Sequence, residues 1–219
     1  MTYSAVLKGD IEQFAENVRS NDELLAQARA GRVGPHAIAA YLQSLFCLVE
    51  QTPVCLALAE ARARQRGEYT LAAFLWRKRL AEVGHDAWAS RDLETLRSQF
   101  GVLPAVCLPA IRELVTYVRE LAADAPQDYL AYILFAEYAT VLLGPEWVRT
   151  LEDSCAIPAA ALSVVWRHAE LDRAHAAEAF AELDGLLHET TELASLRETL
   201  SVTTHWFSRF THEVSALAA

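Results

Sequence analysis

The residues with the clearest chemical potential are two histidines and an aspartate in one short segment. His168, Asp172 and His175 lie at positions i, i+4 and i+7 of residues 164–175. If this segment is helical, their side chains project from one stripe. Imidazole and carboxylate together suit iron, manganese or zinc, and the lack of a thiolate argues against a closed structural zinc site. A solvated helix face whose histidines fall seven residues apart by chance is the open alternative.

A second candidate pair lies earlier in the chain. Glu82 and His85 form an ExxH motif within residues 80–86. Carboxylate-bridged dimetal sites in helical bundles use this i, i+3 spacing. One such motif is weak evidence alone, but it adds a carboxylate and an imidazole to the set on residues 164–175.

Two further carboxylates interrupt apolar segments. Glu137 lies within residues 129–143 and Glu50 within residues 45–50, and both segments are otherwise nearly uncharged. A buried carboxylate is avoided unless it is paired or coordinates a metal, so both are candidate ligands. The alternatives are a neutral, hydrogen-bonded core acid for Glu137 and an exposed helix edge near Pro53 for Glu50.

Together these residues make a complete set of ligands for two metal ions, as in helical-bundle di-iron or di-manganese centres. The predicted ligands are Glu50, Glu82, His85, Glu137, His168, Asp172 and His175. Four carboxylates would balance two divalent cations. Lys78 lies one turn before Glu82 and could contact a substrate or activated oxygen. The alternative for Lys78 is a surface lysine in the basic segment 77–79.

Composition and charge indicate which kinds of partner the protein disfavours. The chain has 219 residues, 53% hydrophobic content and a formal net charge of −10, with no basic run, which disfavours nucleic acid and anionic membranes as partners. Four cysteines without a CxxC pair predict free thiols. The N-terminus lacks a secretory signal pattern, and the apolar run 129–143 is too short to span a membrane and carries Glu137, which predicts a cytoplasmic protein.

Apolar residues recur at three-and-four spacing through most of the chain, which predicts an all-α protein. Glycine and proline positions separate seven helices within a single domain, 1–219. Their predicted ranges are 8–29, 35–66 with a kink at Pro53, 69–98, 104–123, 127–143, 158–187 and 190–217. The predicted ligands lie on the helices at about 35–66, 69–98, 127–143 and 158–187.

The order of these residues resembles the ligand pattern of the haem-oxygenase-like diiron oxidases and oxygenases, a superfamily of seven-helix proteins. The resemblance covers residues 35–187, and its most specific part is His168-xxx-Asp172-xx-His175. Fatty-acid decarboxylases of this superfamily place a carboxylate where this chain has Glu50. In another branch the carboxylate lies seven residues before the histidine, where this chain has Lys78.

The resemblance implies a seven-helix haem-oxygenase-like bundle that binds two iron ions and uses O2 to oxidise a small carboxylic or amino acid, in specialised metabolism. An electron donor and a second copy of the chain are candidate partners. Two alternatives stay open. One is a metal-free or mononuclear enzyme of the thiaminase-like or quinone-cofactor-synthase-like kind, and the other is a non-catalytic metal-binding helical protein.

Overall fold

Every regular element in the described part of the chain is helical, which confirms the all-α prediction. The computed structural model describes residues 2–187 and 193–218. Its elements are α1 (Tyr3–Asn21), α2 (Glu23–Arg29), α3 (Pro35–Gln65), α4 (Tyr69–Glu82), α5 (Asp86–Phe100), α6 (Pro109–Asp124), α7 (Tyr129–Cys155), a 3-10 turn (Ala159–Ala161), α8 (Ser163–Leu186) and α9 (Leu193–Ala218). These described residues hold nine α-helices, so the predicted count of seven is wrong.

Two of the predicted helices are each divided. Residues 8–29 separate into α1 and α2 at Asp22, whose carboxylate accepts a hydrogen bond from the Leu25 amide at 2.8 Å and so caps the new helix. Residues 69–98 separate into α4 and α5 at a turn that contains Gly84. At the last predicted helix, residues 190–192 lie outside the described residues.

One predicted helix end lies too early in the chain. Gly144 and Pro145 were expected to end the helix that begins near residue 127, but α7 continues to Cys155. A proline inside a helix removes one backbone hydrogen bond and crowds the preceding turn. The Arg19 guanidinium donates to the Leu142 carbonyl oxygen at 2.8 Å, three residues before Pro145. Ala156, with a φ of 55°, ends α7 instead.

The helices pack around one continuous apolar core. α7 contacts α8 most extensively and also contacts α9, α1 and α2, while α3 contacts α4, α5, α6 and α9. α7 and α8 approach closely at Gly144, where an added Cβ would lie 3.3 Å from the Cβ of Ala169. This close packing holds the helix that carries Glu137 against the helix that carries His168.

α3 is a long and apolar helix. It is long enough to cross a membrane, and an 18-residue window of it has a mean hydropathy of 1.4; among the described residues it alone meets this test. Length and composition alone are weak evidence, because core helices of soluble proteins also meet it. In this fold, α3 packs against four other helices and continues through Pro53.

Candidate metal centre

The turn between α4 and α5 brings Glu82 and His85 together. Glu82 is the last residue of α4 and His85 immediately precedes α5, so the ExxH motif spans a helix break and does not lie on one helix as predicted. Gly84 makes this turn with a φ of +88°, a conformation that favours glycine. Nδ1 of His85 lies 3.1 Å from Oε2 of Glu82, and both side chains are buried.

His168, Asp172 and His175 project from one stripe of α8, as the spacing predicts. Nδ1 of His168 donates a hydrogen bond to the Val164 carbonyl oxygen at 2.7 Å, which leaves Nε2 as the free ring nitrogen. Metal-binding histidines are commonly oriented by such a bond from the other nitrogen. Asp172 is buried, and its Oδ1 lies 3.4 Å from Nδ1 of His175.

Glu82 lies between the two sets of ligands. Its Oε2 is near His85 and also lies 3.9 Å from Nε2 of His168, while its Oε1 lies 4.0 Å from Nδ1 of His175. Two groups of candidate ligand atoms result, and within each group the atoms lie within 4.8 Å of one another. One group is Glu82, His85 and His168, and the other is Glu82, Asp172 and His175. A carboxylate with one oxygen facing each group is suited to bridging two cations.

The electrostatic environment differs among these ligands. Burial raises the pKa of Glu82, but the hydrogen bond with His85 and the positive charge of nearby imidazoles more than offset it, so the pKa lies below its usual value. Burial raises the pKa of Asp172. The interaction with Asp172 raises the pKa of His175. A bound cation would compete with these protons, so any metal binding at this site would depend on pH.

Glu137 forms a buried ion pair with Lys78. The Lys78 ammonium donates to Oε1 of Glu137 at 2.8 Å and to the His175 carbonyl oxygen at 3.0 Å, and the two residues are 3% and 7% exposed respectively. Burial raises the pKa of Glu137 to about 7, against the opposing effect of Lys78. The surface-lysine alternative for Lys78 is therefore wrong, since this lysine lies beside the candidate ligands.

Glu137 is adjacent to the metal-binding groups without being part of either. Its Oε2 is buried and has no hydrogen-bond partner among the described residues. An unsatisfied buried carboxylate oxygen is costly, and a cation beside it would remove that cost. This orphaned oxygen, together with the imidazole and carboxylate donors around Glu82, fits the binding of divalent metal ions.

Glu50 does not join the other predicted ligands and is removed from the set. It is exposed on α3, as the helix-edge alternative had it. The apolar residues Leu45, Leu48 and Val49 line the internal cavity. Glu50 lies one residue beyond Val49, about 100° further around the helix, so its carboxylate faces away from the cavity.

The revised ligand set changes the charge balance. Glu82, Asp172 and Glu137 contribute three negative charges and Lys78 one positive charge, so the site carries a net charge of about −2 when its carboxylates are ionised and its imidazoles neutral. The prediction of four carboxylates that balance two divalent ions is therefore wrong. One divalent ion neutralises this site, and a second leaves it positive.

Trp88 supports the imidazoles and was not identified from the sequence. Its ring stacks on His85 with centroids 4.0 Å apart and meets His168 edge-on at 5.3 Å. The Arg167 guanidinium lies 5.3 Å from the centroid of the same indole ring. The position of Trp88, three residues after His85, is the only sequence signal for this contact.

Asp92 anchors the start of the ligand helix α8 and was also missed. Its carboxylate accepts hydrogen bonds from Oγ of Ser163 at 2.5 Å and from the Val164 amide at 2.7 Å, and the residue is buried. The Val164 carbonyl in turn orients His168. Asp92 thus fixes the imidazole through the backbone, and nothing in the sequence links residues some seventy positions apart.

A largely apolar cavity of about 210 Å³ opens onto the candidate metal ligands. Its polar end is formed by Lys78, Glu82, Glu137, His168 and Asp172. The rest of its wall is mostly apolar and includes Leu45, Leu48, Val49, Leu56, Ile133 and Phe207. The site can therefore hold a small molecule whose polar end faces the candidate metal ligands.

No protein-family model and no curated protein sequence matches the chain. Several solved structures, in contrast, are similar to it. A protein from Shewanella denitrificans, described as a domain of unknown function with a heme oxygenase-like fold, is 17% identical with a TM-score of 0.80, over 96% of this chain and 90% of that one. A TenA homolog from Pseudomonas syringae is 19% identical with a TM-score of 0.71, over 97% and 92%.

A third similar structure is a CADD-like protein of unknown function from Nostoc punctiforme, 14% identical with a TM-score of 0.70, over 98% of this chain and 99% of that one. All three matches cover nearly the whole length of both chains, so the helical arrangement is shared from end to end. On this evidence the chain has a haem-oxygenase-like fold.

Proposed function

We propose that this protein is a non-haem diiron oxygenase or oxidase that uses O2 to oxidise a small carboxylic or amino acid. The position of Glu82 carries the proposal, because its two carboxylate oxygens face two separate groups of imidazole and carboxylate ligands. A structural or storage site would need no apolar cavity at its edge, whereas an enzyme needs one for its substrate.

The ligands divide into two halves. Glu82, His85 and His168 would hold one ion, and Glu82, Asp172 and His175 would hold the other, with Glu137 beside the second group. The donors suit iron or manganese, and we propose iron. When bound, two ferrous ions supply the electrons that activate dioxygen.

The protein's own side chains would orient the substrate and exclude water. The apolar wall of the cavity favours a substrate with an apolar part, and Lys78 provides a cation at the polar end for a carboxylate. Trp88 and Asp92 would hold the imidazoles in place. We further propose a cytoplasmic enzyme of specialised metabolism that receives electrons from a separate donor.

The direct test is anaerobic loading with ferrous iron, followed by exposure to oxygen with a panel of fatty acids and amino acids. We expect oxygen consumption and a transient optical band, which His168→Ala and His175→Ala should each abolish. His205→Ala, on the exposed face of α9, is the matched control and should leave the band unchanged. Loss of the band in this control as well would contradict the assignment of the ligands.

A second candidate is a metal-free or mononuclear enzyme of the thiaminase-like kind. The buried Lys78–Glu137 ion pair favours it, since this lysine already neutralises one candidate ligand, and one similar structure is a TenA homolog. Iron analysis after anaerobic reconstitution separates the two, because the second candidate binds at most one ion per chain. A tightly held metal without oxygen consumption would instead indicate a non-catalytic metal-binding protein.

A further inference from the structure

We propose that Lys78 competes with the second metal ion for Glu137, so that the two ions bind in sequence and with unequal affinity. The inference rests on the proposed dimetal function and goes beyond it, because it assigns Lys78 a part in metal loading. Lys78 would be a positioning residue for Glu137 in the absence of the second ion.

The geometry gives Lys78 and Glu82 access to the same centre. They lie four residues apart on α4, so their side chains point to one side of the helix. Glu82 reaches both groups of ligands, while the Lys78 ammonium contacts Glu137 and the carbonyl of His175. One helix thus contributes a carboxylate that attracts cations and an ammonium that resists them.

The ion pair uses only part of Glu137. Oε1 accepts the hydrogen bond from Lys78, while Oε2 is buried without a partner. An ion beside Asp172 and His175 would attract this carboxylate and repel the nearby ammonium. Oε2 of Glu137 can therefore face the ion while Oε1 stays with Lys78, but the ion and the ammonium repel each other, so each weakens the other's pairing with Glu137.

The charge balance sets the order of binding. The first divalent ion neutralises the net charge of about −2, and Glu82, His85 and His168 can hold it without disturbing Glu137. The second ion must enter a neutral site that still contains the Lys78 ammonium. A unit charge a few ångströms away in a protein changes ion affinity by well over tenfold, so Lys78 should weaken the second step specifically.

The test is a titration of metal-free protein with Mn²⁺. Calorimetry measures the affinity of each step, and electron paramagnetic resonance detects pairs of magnetically coupled Mn²⁺ ions. In the wild type we expect a tight first step and a weaker second step. Lys78→Met keeps most of the length of the side chain and removes its charge, so it should tighten the second step at least about tenfold and leave the first within about threefold.

Three further variants complete the design. Lys78→Gln removes the charge but keeps a hydrogen-bond donor for Glu137, which guards against failure of the methionine variant to fold, and it should act in the same direction. Arg77→Met is the matched control, since this exposed neighbour pairs with Glu178 and Glu182 and should change neither step. Adding Glu137→Gln to Lys78→Met should abolish the gain.

The outcomes separate this inference from the proposed function. Two ions bound by the wild type with the second step unchanged in both Lys78 variants would overturn the role of Lys78 while the dimetal site stands. A gain that persists without the Glu137 carboxylate would overturn it as well. No Mn²⁺ binding by any of the proteins would defeat the dimetal function itself, and the inference with it.

Discussion

Replacement of Asp92 by alanine should destabilise the protein and disturb the metal centre at a distance. The substitution removes both acceptors at the start of α8, the partners of Ser163 and of the Val164 amide. Loss of a helix cap costs about 0.5–2 kcal/mol. A buried, unsatisfied amide adds about 1–3 kcal/mol, so the free energy of unfolding should fall by about 1.5–5 kcal/mol.

Asp92→Asn is the matched comparison for this prediction. The asparagine oxygen can still accept from the Val164 amide, and its NH2 group can donate to Oγ of Ser163. Only the charge of the acceptor is lost, so we expect a cost of about 1 kcal/mol. The alanine variant should lower Tm by about 3–20 °C, and the asparagine variant by about 2–4 °C.

Urea denaturation of the metal-free proteins measures both costs, with Glu94→Gln as an exposed control that should stay within about 0.5 kcal/mol of the wild type. Mn²⁺ titration should then show weaker binding of the first ion in the alanine variant, because Val164 orients His168. Equal costs for the alanine and asparagine variants would refute the argument, since the hydrogen bonds to α8 would then not be the source of stability.

Three other changes are predicted from the structure. Glu82→Gln should abolish binding of both Mn²⁺ ions, because Glu82 lies in both groups of candidate ligands. With free Mn²⁺ at a hundred times its Kd, each bound ion stabilises the wild type by about 2.7 kcal/mol, and thermal scans of the variant should lack this stabilisation. Retention of either ion would contradict the position of Glu82 between the two groups. Gly144→Val should cost about 1–3 kcal/mol in denaturation experiments because its side chain would press against Ala169, and an unchanged midpoint would contradict the close approach of α7 and α8. The hydrogen bond from Arg29 lowers the pKa of Glu146 in the folded protein. The ionised carboxylate of Glu146 therefore contributes to stability above the pKa of glutamate in the unfolded chain, about 4.3, and this contribution is lost as pH falls through the pKa in the folded protein. Glu146→Gln should therefore be less stable than the wild type at neutral pH, with a difference that shrinks in acid; a constant difference would argue against the shift.

The sequence predicted the features that depend on local spacing. The i, i+4 and i+7 positions of His168, Asp172 and His175 identified one face of a helix, and the structure brings these three side chains together with Glu82 and His85. The helical class followed from hydrophobic periodicity in the same way. Metal binding by these residues stays a prediction.

The wrong predictions concern features that depend on the surroundings of a residue. An apolar stretch around Glu50 suggested burial, but α3 turns that carboxylate away from the cavity. Gly144 and Pro145 suggested a helix end, but α7 continues through both residues and packs closely against α8 at Gly144. A local sequence pattern does not show which side of a helix faces the cavity or which helix packs against it, so neither outcome was predictable.

The ion pair and the anchoring residues were beyond sequence reasoning for a related reason. Lys78 and Glu137 lie 59 residues apart, and Asp92 contacts a helix that starts more than seventy residues later. Each pairing depends on which helices become neighbours. Basic neighbours made Lys78 resemble a surface residue, although its place one turn before Glu82 was a usable hint.

The cavity wall and the candidate ligands come from different parts of the bundle. Leu45, Leu48 and Val49 on α3 shape the apolar end, whereas α4, α8 and the turn after α4 supply the candidate ligands, beside Glu137 on α7. Changes in the size of these three side chains would alter which molecules fit without moving a ligand. Variation confined to this part of α3 would therefore change the shape of the cavity and leave the candidate metal ligands as they are.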